Sequence, residues 1–93
     1  DLTGPFEVLA ALPNASFHIA AKTLQPIKDF HGLGLVADKT LDEMPELDVL
    51  HSPGGPGQQA LMEDEETLSF IRKHAAKASY VLSVCTGALL CGA

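Results

Sequence analysis

Two short strand-like runs, each closing on small residues, constrain what this chain can fold into more than any other feature. Leu47 to His51 is rich in apolar residues and leads directly into Ser52-Pro53-Gly54-Gly55-Pro56-Gly57. Tyr80 to Val84 does the same before Cys85-Thr86-Gly87-Ala88-Leu89-Leu90. A short apolar run bounded by turn residues is the pattern of a buried strand of a parallel sheet. The residues between them are helical in pattern. Gln58 to Met62 begins a helix, and Asp64-Glu65-Glu66 with Leu68, Phe70 and Ile71 and the bases Lys73 and Lys77 puts acids first and bases last, which predicts a helix over 64 to 77. The segment after Cys85 reads as the abrupt start of another helix. Strand, helix, strand, helix implies an α/β domain with a parallel sheet, right-handed crossovers and ligand sites outside the carboxyl ends of the strands. Both the glycine loop and Cys85 fall at those ends.

The first half of the chain is less regular. Pro5 suits a first helical turn, and the apolar spacing that follows predicts a short helix over 5 to 12, stopped by Pro13-Asn14. Residues 16 to 21 carry Phe17 and Ile19 between smaller or polar residues and predict a strand, with a second over 27 to 30. His31-Gly32 signals a turn, and Leu33 to Ala37 supplies the return arm of a small hairpin.

With 93 residues, 46% of them hydrophobic and 19% charged, the chain fits a single globular domain with a modest core. The opening on Asp1-Leu2-Thr3-Gly4-Pro5 and the close inside Leu89-Leu90-Cys91-Gly92-Ala93 read as an internal fragment of a longer protein. No apolar run approaches the roughly 20 residues of a membrane helix, so no membrane partner is expected. A net charge of -6 provides no footprint for phosphate backbones, and no nucleic acid is expected on this segment. Cys85 and Cys91, six apart, would point about 240° apart on one helix. That spacing fits neither a disulfide nor a redox pair, and two free thiols favour a reducing, cytoplasmic setting.

The chemistry concentrates at the strand ends. A cysteine between a strand and a helix start meets the helix's positive end, which favours thiolate over thiol and makes Cys85 a candidate nucleophile. Ser83 and Gly87 flank it two residues either side, as small neighbours do at a nucleophile elbow, although the GxSxG form itself is absent. A small buried residue is the plain structural alternative. Thr86 either caps the following helix or faces whatever binds at the sulfur. Gly54 and Gly55 form a turn, or else present backbone N–H groups to a developing anion. The loop lacks the lysine and Ser/Thr of a phosphate-binding loop, and Gly32-Leu33-Gly34 lacks the third glycine of a dinucleotide fingerprint. His18, His31, His51 and His74 show no paired metal spacing, so no metal or cofactor is expected. His74 is placed on the exposed side of its helix, and His51 is left outside the site because strand alternation does not fix its direction. Glu63 to Glu66 is explained as a helix start. Nothing in composition or spacing brings Asp1 to Cys85.

The motifs Asp1-Leu2-Thr3-Gly4-Pro5-Phe6-Glu7-Val8-Leu9, Pro53-Gly54-Gly55-Pro56-Gly57 and Ser83-Val84-Cys85-Thr86-Gly87-Ala88, in this order and at these separations, closely resemble the ThiJ/PfpI superfamily, most nearly its isocyanide hydratase branch. The resemblance spans essentially the whole chain, which would be one partial ThiJ/PfpI-like domain over 1–93. It implies a flavodoxin-like α/β fold, a parallel sheet with helices on both faces, lacking here the first strand and the C-terminal part. It also implies a homodimer acting on a small electrophilic substrate, an isocyanide. By the same carry-over Cys85 is the nucleophile, Asp1 the carboxylate that orients or shuttles protons, Thr86 a polar partner, and Gly54 with Gly55 the backbone donors. The leading aspartate favours the hydratase branch, since other branches use a glutamate near the cysteine. Two other readings share the fold: the ligand-sensing domain of an AraC-type transcription regulator, and another cysteine hydrolase or deglycase.

Overall fold

The computed structural model describes residues 1–93, which divide into two compact units: Leu2–Met44, and Pro45–Ala93 together with Asp1.

In the first unit, helix α1 (Thr3–Leu9) has Pro5 in its opening turn, where the missing N–H has no intrahelical partner to lose. Looser turns carry the chain on to Leu12, with Ala11 N–H and Leu12 N–H donating to Val8 and Leu9 carbonyls. The helix expected over 5 to 12 therefore starts two residues earlier and frays before Pro13. Phe6 of α1 and Phe17 meet edge to face with ring centroids 6.2 Å apart. The strand expected over 16 to 21 shortens to β1 (Ala20–Ala21), which pairs in parallel with β4 (Lys39–Thr40), a partner the sequence pattern did not signal. Asp38 fixes that register: its carboxylate accepts the Ile19 N–H and lies 2.9 Å from Nδ1 of His18. The hairpin arrives as expected, with β2 (Ile27–Lys28) antiparallel to β3 (Gly34–Leu35). Its turn is built by Asp29, whose carboxylate accepts the His31 and Leu33 N–H groups at 2.8 and 2.9 Å. Gly32 there has φ 92°, a conformation that favours glycine.

In the second unit, β5 (Val49–Ser52) and β6 (Tyr80–Ser83) run parallel, with Val49 opposite Tyr80 and Ser52 opposite Ser83. Between them lie α2 (Gln58–Leu61) and α3 (Glu65–Ala75), and β6 is followed by α4 (Gly87–Gly92). This is the strand, helix, strand, helix order expected, and it belongs to the flavodoxin-like α/β fold. α4 packs on both strands, while α2 and α3 pack on α4 and on each other. Leu50, Leu68 and Leu90 bring strand, long helix and last helix into one buried apolar centre.

The long helix starts where the acids placed it. Asp64 is the N-cap, accepting the Thr67 N–H at 3.2 Å, and Arg72, Lys73 and His74 fill the last turn. One expectation is corrected here. His74 is not on the exposed side: it is buried, with its ring 4.5 Å from that of Phe70. It stands four residues after Phe70, hence on the same helical face. Spacing outweighed polarity.

Candidate active site

β5 alternates faces, so Leu50 and Ser52 are buried while Val49 is exposed and His51 half-buried. Ser52 holds the next layer through its hydroxyl, which donates to the Gly87 carbonyl at 3.4 Å. Its own carbonyl accepts the Val84 N–H at 3.3 Å, extending the sheet by one bond beyond the paired residues. Gly87 has to be glycine for this approach, because a Cβ there would run into the Ser52 and Pro53 main chain.

Cys85 stands between β6 and α4 in a left-handed backbone conformation, φ 52°. Asn14 is the other non-glycine residue with positive φ. For an L-residue with a Cβ this conformation costs on the order of 1–2 kcal/mol, and such strain concentrates at functional turns. The bonds on either side hold it: Val84 N–H reaches back to Ser52, and Gly87 N–H donates to the Val84 carbonyl at 2.9 Å. Cys85 is exposed and its thiol is free, as is that of the half-buried Cys91. Helix α4 begins at Gly87, two residues later than the sequence pattern suggested.

Thr86 does not cap α4 with its side chain. Instead its hydroxyl clasps the glycine loop, accepting the Gly55 N–H at 3.0 Å and lying 3.4 Å from the Gly55 carbonyl, to which it can donate. Of the two backbone donors expected in the loop, Gly55 N–H is thus taken up by Thr86, whereas Gly54 N–H makes no such bond. Gly54 approaches so closely that a Cβ would stand 2.6 Å from both the backbone nitrogen and the hydroxyl of Thr86. Gly55 itself has φ 140°. The turn that bears the cysteine and the loop after β5 are locked together by backbone contact.

Asp1 is exposed and belongs to the same compact unit as β5, β6 and Cys85, although Leu2 onward belongs to the other. Burial lowers the His51 imidazole below the usual histidine value. Both ring nitrogens of His51 are sealed from solvent and have no hydrogen-bond partner. This residue was left outside the site by sequence reasoning. Its position directly before Ser52-Pro53-Gly54 was the available signal. No group of three or more His, Cys, Asp or Glu residues is gathered as a metal site would need. No helix is long and apolar enough to cross a membrane.

This geometry has counterparts among known proteins. The family model described as the DJ-1/PfpI family matches residues 1–93. The chain belongs to the DJ-1/PfpI family. It is 53% identical over 93 residues to the isonitrile hydratase of Pseudomonas putida, an alignment that covers 100% of this chain and 41% of that protein. A crystal structure of a ThiJ/PfpI family protein from Pseudomonas syringae matches with a TM-score of 0.95 at 40% identity, covering 99% of this chain and 39% of that one. The chain thus spans about two fifths of the length of these two relatives. This chain presents a cysteine on a sharp strand-to-helix turn beside a glycine loop.

Proposed function

We propose that the protein to which this chain belongs is an isocyanide hydratase, converting an isocyanide and water to an N-substituted formamide with Cys85 as nucleophile. The observation that carries the reading is the 53% identity to the Pseudomonas putida isonitrile hydratase over all 93 residues of this chain. The strained, exposed Cys85 supports it, because a side chain held out on such a turn is accessible to an incoming electrophile.

In this mechanism the Cys85 thiolate attacks the terminal isocyanide carbon, forming a C–S bond, and protonated Asp1 delivers its proton to the same carbon. The product is a thioimidate. Asp1, now a carboxylate, accepts a proton as water adds to that carbon, and the other hydrogen of the water ends on the substrate nitrogen after collapse. The C–S bond breaks, the electron pair returns to sulfur, and formamide leaves. Thr86 holds the glycine loop against the cysteine turn, and in this reading the unbonded Gly54 N–H is the backbone donor for the charge that develops there. A homodimer in the cytoplasm, using no cofactor, is part of the same proposal.

The test is hydration of an aryl isocyanide by the full-length protein beside its Cys85→Ala and Asp1→Asn variants. Cys85→Ala retains a Cβ and so leaves the backbone strain in place. Turnover is expected to vanish in Cys85→Ala and to fall about a hundredfold to ten-thousandfold in Asp1→Asn, the usual worth of a general acid-base group. Full activity in Asp1→Asn removes that residue from the mechanism. No turnover in the unaltered protein, with Cys85 still readily alkylated, overturns the hydratase reading in favour of a ligand-sensing domain.

A further inference from the structure

Ser52 ends β5 on the sheet face that packs against α4, and it is buried, at 6% exposure, although the proposed mechanism gives it no part. Leu50, two residues earlier on the same face, is the apolar choice that such a position ordinarily takes. A hydroxyl there loses its hydration and needs a partner. The partner is the Gly87 carbonyl in the first turn of α4, at 3.4 Å, a long bond but one made where water is excluded. That bond is one of a set. The Ser52 carbonyl accepts the Val84 N–H at 3.3 Å, and the Thr86 hydroxyl accepts the Gly55 N–H at 3.0 Å. The residue before Cys85 and the two after it are thus each tied to the segment 52–55, while Cys85 itself stays exposed. Its φ of 52° is held through its neighbours. A main-chain carbonyl is present whatever residue stands at position 52; the hydroxyl is what serine adds.

We propose that Ser52 is a positioning residue for Cys85: its hydroxyl pins the first turn of α4 to the end of β5 and so keeps the left-handed cysteine turn from relaxing. Strain of this kind persists only where the surroundings over-determine it, and the hydroxyl is one of the constraints. Without it α4 is free to draw away from the strand end. That movement loosens the bond from Gly87 N–H to the Val84 carbonyl, 2.9 Å, which closes the turn around Cys85. The thiol then leaves the exposed position in which the turn presents it. Ser52 touches no reacting atom and acts through the backbone of Cys85. Its effect on turnover rests on the hydratase reading, whereas its effect on the turn does not.

Three variants of the full-length protein test this. Ser52→Ala removes the hydroxyl, while Ser52→Thr and Ser52→Val add the same bulk with and without one. Amide hydrogen exchange at Gly87 is expected to quicken about twofold to tenfold in Ser52→Ala, the worth of a typical hydrogen bond expressed as a ratio, and to be slower in Ser52→Thr than in Ser52→Val. Alkylation of Cys85 by iodoacetamide at fixed pH, located by mass spectrometry so that Cys91 is counted apart, is expected to slow in Ser52→Ala and Ser52→Val and to be faster in Ser52→Thr than in Ser52→Val. Isocyanide hydration by Ser52→Ala is expected to lose about tenfold in kcat with KM unchanged, as misplacement of a reacting group does, and Ser52→Thr is expected to turn over faster than Ser52→Val. Unchanged Gly87 exchange in Ser52→Ala overturns the role, as do equal values in Ser52→Thr and Ser52→Val, which would make Ser52 a filler of space. Faster exchange with Cys85 alkylation unchanged also overturns it, because the bond would then hold the helix and not the cysteine. A protein that hydrates no isocyanide but shows the expected exchange and alkylation keeps the positioning role and loses only the hydratase reading.

Discussion

Cys85 holds its side chain at φ 52°, and the glycines around it are what make that conformation affordable. Gly87 admits the Ser52 carbonyl, and Gly54 admits the Thr86 main chain, so the turn is fixed by backbone contacts that no flexible side chain can replace. Gly54→Ala tests this at the level of a single methyl group. Its Cβ would stand 2.6 Å from the Thr86 nitrogen and hydroxyl and 2.9 Å from the Gly87 nitrogen. Relief requires the loop and the turn to separate, which breaks the Gly55 to Thr86 bond. Gly54→Ala in the full-length protein is expected to lower thermal stability by about 1–3 kcal/mol, the usual cost of overpacking, and to abolish isocyanide turnover with it. An unchanged melting temperature with normal turnover would show that the loop is not locked as described.

Helix α3 shows what an element inherits from local rules and what it does not. Its start follows from Asp64, and Glu65 reaches Arg72 across two turns at 2.7 Å. Its buried face comprises Leu68 and His74, and the histidine has consequences for pH dependence. Burial, then the charges of Lys73 and Lys77, lower the His74 imidazole below its ordinary value of 6.5. The unfolded chain therefore takes up the proton more readily than the folded one. The resulting contribution to stability is fully present above pH 6.5 and is lost as pH falls through the lower folded value. The melting temperature of the full-length protein is expected to decline as pH falls below 6.5, and part of that decline should disappear in His74→Leu. Identical pH profiles in the two proteins would place His74 outside the linkage.

At the scale of the whole chain, the buried apolar residues are few: Ala37, Leu50, Leu68 and Leu90. Phe30 is 80% exposed, Val8 71% and Tyr80 66%, and β6 is exposed along its whole length although its sequence is that of an interior strand. So much exposed apolar surface is unusual for a stable monomer. The 93-residue chain prepared by itself is expected to bind the dye ANS and to melt over a broad range, whereas the full-length protein should melt sharply without binding it. A sharp transition free of dye binding in the isolated chain would show that these residues suffice for a stable fold.

The amino-acid sequence by itself determined which elements exist in the second unit and what chemistry they present. The apolar runs ending at His51 and Val84, the acids that open α3, and the glycine and cysteine motifs all act through neighbours within a few residues, so they are readable in one dimension. The tertiary structure decided which groups meet. Local pattern made Thr86 a helix cap as readily as a partner, and the loop 31 residues away claimed its hydroxyl. Residues 16 to 21 had the pattern of a longer strand, but the partner at Lys39–Thr40 pairs with Ala20 and Ala21 alone. His74 carried a surface residue's chemistry on a buried face, and His51 had no direction at all until β5 acquired its neighbours. In each case the deciding energy came from a contact distant in sequence, where propensity has no say.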